Sequence, residues 1–522
     1  VSGTSMPLQN EVPVLIVGAG PAGLMAAVEL TRRAVPVRII DRLPEASRHS
    51  KALGVWPRTF ELFQRINPLR QLELAGQYQE GMRYYSDGRR LVTIPYTNEA
   101  RATVLPQPAI ERFLEAELNE HGIHVERGTE LVSIDVDDHH ASARALRHDG
   151  TTETISAGYL IGADGASSAV RKALEIPFAG ATYPSTFVVV DATIDGNLDP
   201  ALTHYFCSTR GILVISALPE GGVRFFTSAP RDTDPDRLDL AGVQRIIDDR
   251  GPGTLRLTSA RWISAFTVHA RQAARIRHGR AFLIGDAAHI HSPAGGQGLN
   301  TGIADAHNLA WKIARVHHHH AHERLLGTYE LERHPIAEQI VHAADQQTRL
   351  WLLTRPHQII LRDLLLRAVA RTPYFSRVYL PTLAGLRYRY DSLRHRDQRS
   401  RSTAGTLIDA LDIFDVSNER LTSLRRALPD DTYTLLFDGN RYDPNLDDVI
   451  DSARRVGFHL RTLDRRASRL CTGPPTPGAI RRGRILLVRP DGYIAFAGRT
   501  LTPDRLAELT HTSVLDLAQE HA

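Results

Sequence analysis

The order of apolar and polar residues changes character three times along the chain. Val12–Val17 is almost continuously apolar and stops at Gly18, the pattern of a strand covered on both faces. Apolar residues then recur at helical spacing from Ala22 to Arg33, and Val37–Ile40 is a second such strand, ending at Asp41. Strand, helix and strand at these distances predict a βαβ unit. Farther on, Ile110–His121 carries Phe113, Leu114, Glu117 and Leu118 at turn spacing and predicts a helix, and Tyr159–Ile161 predicts a strand ending at Gly162. A second parallel crossover fits there.

Between Thr186 and Thr267 the period shortens. Phe187-Val188-Val189-Val190, Ile212-Leu213-Val214-Ile215 and Val223-Arg224-Phe225-Phe226 are β-branched or alternating runs separated by Gly and Pro turns. They predict a largely antiparallel sheet inserted into the first domain. Ala281–Ile284 returns to a buried strand and Leu299–Val316 to a helix, so the first domain is discontinuous. Leu325–Ala370 is mostly helical, and Tyr433–Phe437, Ile485–Val488 and Tyr493–Phe496 are strands of a separate C-terminal block. No internal repeat is found.

Composition narrows the class. The chain has 522 residues, 42% hydrophobic and 23% charged, an ordinary globular mixture with room for about three domains. The 63 basic and 59 acidic side chains leave a net charge of +4. Lysine occurs only at Lys51, Lys172 and Lys312, and the arginines are interleaved with Asp and Glu, which is no nucleic-acid stripe. Cys207 and Cys471 stand too far apart for a disulfide framework or metal knuckle, so a reducing cytoplasm is expected. Val14–Leu30, the longest apolar stretch, is broken by Gly18, Gly20, Pro21 and Gly23, and no membrane span is expected. The residues before Met6 read as a cloning remnant.

Three motifs carry candidate chemistry. Gly18-Ala19-Gly20-Pro21-Ala22-Gly23 joins the first strand to the first helix, where glycines permit a tight turn and close approach of a pyrophosphate to the helix N-terminus. Asp41 follows roughly 20 residues on, where a carboxylate can accept a ribose hydroxyl. No second motif of this kind follows a strand, so one dinucleotide is expected to be held firmly. Gly162-Ala163-Asp164-Gly165-Ala166-Ser167-Ser168 follows another strand. The longest motif runs from Gly279 to Thr301 and contains Gly285-Asp286, His289, His291 and Ser292-Pro293-Ala294-Gly295-Gly296-Gln297-Gly298-Leu299-Asn300. A carboxylate at a strand end suits a polyol, and a glycine run lets a flat ring lie against bare backbone. The helix starting near Leu299 directs its positive end at that ring, which suits an anionic reduced flavin.

These motifs, in this order, resemble those of the single-component FAD-dependent aromatic hydroxylases, the para-hydroxybenzoate hydroxylase class. Ser50-Lys51-Ala52-Leu53-Gly54-Val55 with Arg58-Thr59 and Glu61, and Leu105-Pro106-Gln107 with Glu111-Arg112, resemble the same family. The resemblance implies FAD contacts from Gly18–Gly23, Asp41, Arg42, Lys51, Gln107, Val132, Asp164, Asp286, Pro293, Gly296, Gly298, Leu299 and Asn300. Asp164 would serve both FAD and NAD(P)H, Asp286 would hold the ribityl chain, and Gly298–Asn300 would meet the isoalloxazine. Lys51 stands where many relatives have Arg, a point cation in place of a bidentate fork. A weaker resemblance continues through Leu486-Leu487-Val488-Arg489-Pro490-Asp491-Gly492-Tyr493-Ile494-Ala495 to the thioredoxin-like domain of the phenol and polyketide hydroxylase branch. Without Cys-x-x-Cys it has no dithiol chemistry.

The expected fold class is therefore α/β: a Rossmann-like FAD-binding domain over 8–80, 100–185 and 275–345, an inserted antiparallel β-sheet substrate domain over 81–99 and 186–274, a helical connection over 346–400, and a thioredoxin-like domain over 401–522. The resemblance implies that NAD(P)H reduces FAD, that O2 adds at the flavin C4a position, and that one oxygen passes to a phenolic or polycyclic, polyketide-like aromatic ring. Tyr205, Phe206, Phe225, Phe226 and Trp262 are the candidate pocket walls, and no catalytic acid or base is assigned. Baeyer–Villiger oxygenation of a polycyclic ketone, or flavin holding without turnover, would use the same residues. Halogenation is disfavoured, since no paired-tryptophan signature surrounds Trp56, Trp262, Trp311 or Trp351. His289 and His291 are read as packing residues, His317–His320 with His322 as an exposed polar tract, and no metal is expected. The expected partner is a small aromatic molecule and the expected state a monomer or homodimer.

Overall fold

In the computed structural model, which describes residues 11–46, 52–67, 76–229, 238–393, 404–408, 412–415, 420–423, 425, 428–437, 444–462 and 485–511, the first apolar run forms the strand Glu11–Val17. It lies between two parallel neighbours, Thr152–Gly162 and Val37–Asp41. Val14, Leu15 and Ile16 are wholly buried because both faces of the sheet are covered, which is why this strand reads as continuous and not alternating. The sheet runs in the order Arg277–His278, Ala281–Leu283, Thr152–Gly162, Glu11–Val17, Val37–Asp41, Glu126–Arg127, with Ala141–Arg147 and Thr129–Val136 paired beyond Thr152–Gly162. The helices predicted from turn spacing are Pro21–Thr31, Gln107–Glu120 and Gly298–His317.

A second sheet has the order His289–Ile290, Arg256–Ala273, Phe178–Asp195, Val223–Ser228, Gly211–Ala217, Leu202–Ser208, Gly81–Ser86, Arg89–Pro95. It is antiparallel except where Leu202–Ser208 meets Gly81–Ser86 in parallel. Alternation gives it two apolar faces. Val188, Val190, Phe206, Leu213 and Phe225 pack on one side with Val243 and Ile247 of the helix Leu240–Arg250. That helix lies inside the stretch predicted as sheet; its start is fixed by Asp239, whose side chain accepts from the Gly242 N–H at 2.7 Å. The other side presents Tyr205, Phe187 and Phe226 with Met82, Trp56 and Trp351.

The chain divides into two compact units, one of residues to Val28, Val37–Asp305 and Ala337–Leu386, the other of Glu29–Pro36, Ala306–Ile336 and the chain from Arg387. Both sheets above belong to the first. The second contains a four-stranded sheet in the order His459–Thr462, Thr434–Phe437, Ile485–Val488, Ile494–Gly498, its first pair parallel and the others antiparallel. Four of the charges buried in this unit form one cluster. Lys312 Nζ lies 2.8 Å from Glu332, and Arg489 reaches Glu332 at 2.6 and 2.8 Å and Asp491 at 2.6 Å. The Asn308 amide nitrogen is 3.0 Å from Glu332 and 3.1 Å from Asp491. Burial pushes the Lys312 ammonium down to about 8 despite Glu332, while Arg489 and Lys312 overcome burial and hold the Glu332 carboxyl well below the usual range. Among the described residues no helix is long and apolar enough to cross a membrane.

Candidate active site

The three motifs meet at the carboxyl ends of the parallel strands, where ligands of open α/β sheets bind. Gly18 follows Glu11–Val17, Ala163-Asp164 follows Thr152–Gly162, Gly285-Asp286 lies just past Ala281–Leu283, and Asp41 closes Val37–Asp41. Backbone bonds tie these ends side by side: Gly18 N–H to Ile40 at 2.8 Å, Ala163 N–H to Val17 at 2.8 Å, Ile284 N–H to Gly162 at 3.0 Å. Arg171 joins two of the loops, donating to Ala166 and Ala287, each at 2.8 Å.

The glycine motif divides into turn-makers and one open position. Gly18 has φ +104°, and a Cβ there would stand 2.4 Å from the Ala163 carbonyl oxygen; a Cβ on Gly23 would stand 1.9 Å from the Gly18 carbonyl oxygen. A Cβ on Gly20 would meet nothing within 4 Å. Packing therefore does not demand glycine at 20, and the open space at the start of the helix Pro21–Thr31 is shaped for a group from outside the chain. An anion suits it, because the first N–H groups of that helix face it. Asp41 beside it accepts from the Ala19 N–H at 2.6 Å and the Leu43 N–H at 2.8 Å, which fixes the carboxylate while leaving it lone pairs.

Two cavities open from this point, sharing Gly20, Gln107, Ala163 and Gly165. The smaller, about 260 Å3, is lined by Gly18, Ala19, Asp41, Arg42 and Asp164. Asp164 Oδ2 accepts from the Ala169 and Val170 N–H groups at 2.6 and 3.1 Å, and its Oδ1 is buried without a partner. The larger, about 510 Å3, has Pro21, Ala22 and Asp286 at one end and the loop Pro293, Gly296, Gly298 and Leu299 along its side. It ends against the second sheet. The paired cavities have the extended form that a dinucleotide joined to a flat ring requires, so the residues present fit FAD.

Several positions differ from expectation. Val132 is 46% exposed, and it is Leu131, on the opposite face of the strand, that lines the smaller cavity. Asn300 lines neither cavity: its side chain accepts from Trp56 N–H at 2.9 Å and donates to Gly54 and Gly296 at 2.9 and 2.7 Å, which leaves the backbone as its free part. Gly23 is packed inside the turn. Lys51 and Cys471 lie outside the described residues. Of the five predicted wall residues, Tyr205 and Phe226 line the larger cavity, whereas Phe206 and Phe225 point to the opposite face, since adjacent residues of a strand cannot share a side. Trp262, paired with Asp191 on an outer strand, does not reach it.

The two histidines part company. His289 is buried against Asp305, Nε2 to carboxylate 2.7 Å, and packs as expected. His291 lines the larger cavity, its Nδ1 2.8 Å from the Ser292 carbonyl; burial pushes its imidazole down to about 4, so it is neutral. The sequence motifs do not single out Trp56, whose indole donates to the Gly295 carbonyl at 2.9 Å, nor Gln79, Thr203, Ser216 and Arg224 on the cavity wall. The available signal was strand alternation, which was not applied: Ser216 sits two positions from Val214 and Arg224 two positions from Phe226, each on the same strand.

Comparison with known proteins agrees with this geometry. Residues 11–344 match the model of the FAD-binding-domain family. The 6-methylpretetramide 4-monooxygenase of Streptomyces rimosus is 33% identical, covering 95% of this chain and 92% of that protein. Pentachlorophenol 4-monooxygenase of Sphingobium chlorophenolicum is 34% identical over 63% of each. The crystal structure of aklavinone-11 hydroxylase in ternary complex with FAD and aklavinone is 26% identical and superposes with a TM-score of 0.78, covering 97% of this chain and 99% of that one. The chain belongs to the FAD-binding-domain family and, within it, to the flavin-dependent aromatic monooxygenases.

Proposed function

We propose that the chain hydroxylates a phenolic or fused-ring, polyketide-like compound seated in the 510 Å3 cavity. One observation carries this: the glycine loop 295–298 and the aromatic face of the second sheet, with Tyr205, Phe226 and Phe266, line one space. The names of the 6-methylpretetramide and pentachlorophenol monooxygenases and of the aklavinone hydroxylase support the same substrate class.

FAD, once reduced by NAD(P)H, supplies the activation of O2 for transfer to the ring. The protein's part is binding, orientation and dryness. Gly20 and the N-terminus of Pro21–Thr31 would receive the pyrophosphate, Asp41 and Arg42 the adenosine side, Gln107 and Asp286 the connecting chain. Asp164 would serve FAD and NAD(P)H. The N-terminus of Gly298–His317 would stabilise negative charge on the isoalloxazine. Val189, Val214 and Phe226 exclude water from the ring, and Tyr205, tilted against Trp351 at a centroid distance of 5.4 Å, gives it a flat wall.

The proposed domain division is that of the sequence, 401–522 being thioredoxin-like. Its sheet supports this, with one parallel pair at the edge followed by two antiparallel pairs and helices Pro444–Arg455 and Pro503–Thr510. A cytoplasmic monomer or homodimer completes the proposal.

The test measures NAD(P)H consumption in air by the FAD-loaded protein, with and without a panel of phenols and fused-ring phenols, together with hydrogen peroxide. The expected result is a panel member that accelerates consumption with peroxide below the NAD(P)H used and a product heavier by one oxygen. Acceleration by none of them, or peroxide equal to NAD(P)H throughout, overturns the substrate assignment.

A further inference from the structure

The larger cavity is mostly apolar, but one strip of its wall is a chain of hydrogen bonds with a fixed direction. Three side chains from neighbouring segments make it: Gln79, Thr203 and Ser216, all on the cavity. Ser216 Oγ is 3.2 Å from Thr203 Oγ1, Thr203 Oγ1 is 3.2 Å from Gln79 Oε1, and Gln79 Nε2 is 3.3 Å from the Pro200 carbonyl.

The direction follows from the far end. A peptide carbonyl only accepts, so Gln79 must turn its NH2 to Pro200, and Gln77 does the same at 2.9 Å. Gln79 is 2% exposed and holds that orientation, which presents its Oε1 to Thr203. Thr203 therefore donates to Gln79. Its oxygen is then the acceptor for the Ser216 proton, and Ser216 is left facing the cavity with lone pairs only. No N–H or O–H of a described residue fills them.

Directly across the strand pair from Ser216 is Arg224, also on the cavity, whose guanidinium is clamped by Asp191 at 2.6 and 2.7 Å and donates through Nη1 to the Ala52 carbonyl at 3.3 Å, three of its five N–H groups. The wall thus offers an acceptor and a donor side by side. A neutral hydroxyl satisfies both, donating a hydrogen bond to Ser216 and accepting one from Arg224, whereas an ether or ketone satisfies only the donor.

We propose that the Gln79–Thr203–Ser216 chain makes this cavity select an aromatic ligand by a protonated hydroxyl placed at Ser216, against the same ring bearing a methyl ether or a keto group. The inference rests on the cavity being the substrate site.

The probes are 1-naphthol and 1-methoxynaphthalene, titrated into oxidised holoenzyme without NAD(P)H and followed by perturbation of the flavin spectrum. The naphthol is expected to bind about tenfold more tightly, the range of one neutral hydrogen bond. Ser216→Ala should bring the two within about threefold, mainly by weakening the naphthol. Thr203→Val removes the acceptor for the Ser216 proton, freeing that serine to donate, and should strengthen the ether relative to the naphthol by about fivefold to tenfold. A merely structural role for Thr203 would weaken both ligands together. Unchanged preference in both variants overturns the proposal. Val214→Trp, compared as FAD-bound protein, separates this failure from failure of the site assignment. If it abolishes naphthol binding, the cavity is the ligand site and the fault lies with the hydrogen-bond chain; if binding is untouched, the ligand sits elsewhere and both readings fall.

Discussion

Gly18 and Gly20 are two residues apart in one motif, yet substitution by alanine should damage different things. At Gly18 the new Cβ would stand 2.4 Å from the Ala163 carbonyl oxygen, on a backbone with φ +104°. Strain at such a φ costs about 1–3 kcal/mol and the overlap about as much again, so Gly18→Ala should destabilise the apoprotein by about 3 kcal/mol or more. At Gly20 the methyl meets no protein atom within 4 Å, and the only structural loss is a poorer N-cap, under about 1 kcal/mol. Its penalty falls on the cofactor, since the methyl stands where the pyrophosphate would approach. An overlap of about 1–3 kcal/mol there weakens FAD between roughly fivefold and 150-fold. The assay pairs urea unfolding of apoprotein with FAD titration by quenching of flavin fluorescence. Gly20→Ala should unfold almost as wild type and bind FAD poorly. A Gly20→Ala protein that binds FAD with wild-type affinity would refute the assignment of that space to the pyrophosphate, and one as unstable as Gly18→Ala would refute the division of roles.

Three further outcomes are expected. His291, neutral in the fold with its imidazole pushed down to about 4 by burial, takes up its proton in the unfolded chain near pH 6.5; stability is unaffected above that pH and is lost as the pH falls from 6.5 through 4, by about 3 kcal/mol. His291→Gln should flatten that part of a stability–pH curve, and an unaltered curve would show that the group does not titrate as stated. Glu332→Gln leaves Lys312 and Arg489 short of an anion in a fully buried place and should cost about 3–5 kcal/mol in chemical denaturation; a loss below about 1 kcal/mol would contradict the burial of the cluster. Trp56→Phe removes the indole donor to Gly295 and should weaken FAD retention about fivefold on dilution while leaving far-ultraviolet circular dichroism unchanged.

The parallel strands were legible because burial on both faces writes itself as uninterrupted Val, Leu and Ile, and Glu11–Val17 and Val37–Asp41 lie within a residue of their predicted ends. Helix positions were equally plain where a long periodic stretch existed, as in Gly298–His317. Leu240–Arg250 escaped because its three buried apolar residues, Val243, Ile246 and Ile247, are too few to mark a period within a β-rich stretch. The site's loops could be placed from their glycines and strand-end carboxylates. Its walls could not: naming Phe206 beside Tyr205 and Phe225 beside Phe226 ignored alternation, and only the paired strands tell which member of each pair turns inward. Trp351, Tyr379 and Gln347 reach the cavity from helical segments whose sequence shows no chemistry, and nothing before the fold could have joined them to Tyr96.

The buried cluster of four charges bears on how this protein can be recombined. Asn308, Lys312 and Glu332 come from the middle of the chain, and Arg489 and Asp491 from its last tenth, yet they form one electroneutral group. A chimera that exchanged everything after about residue 400 for the matching part of a relative would inherit half of that group from each parent. If the incoming segment lacked the arginine, Glu332 would lose a cation where water does not enter; if it lacked the aspartate, the surplus would be positive. The apparent C-terminal module is therefore not interchangeable by sequence boundary alone, and a successful graft must match these five positions as a set.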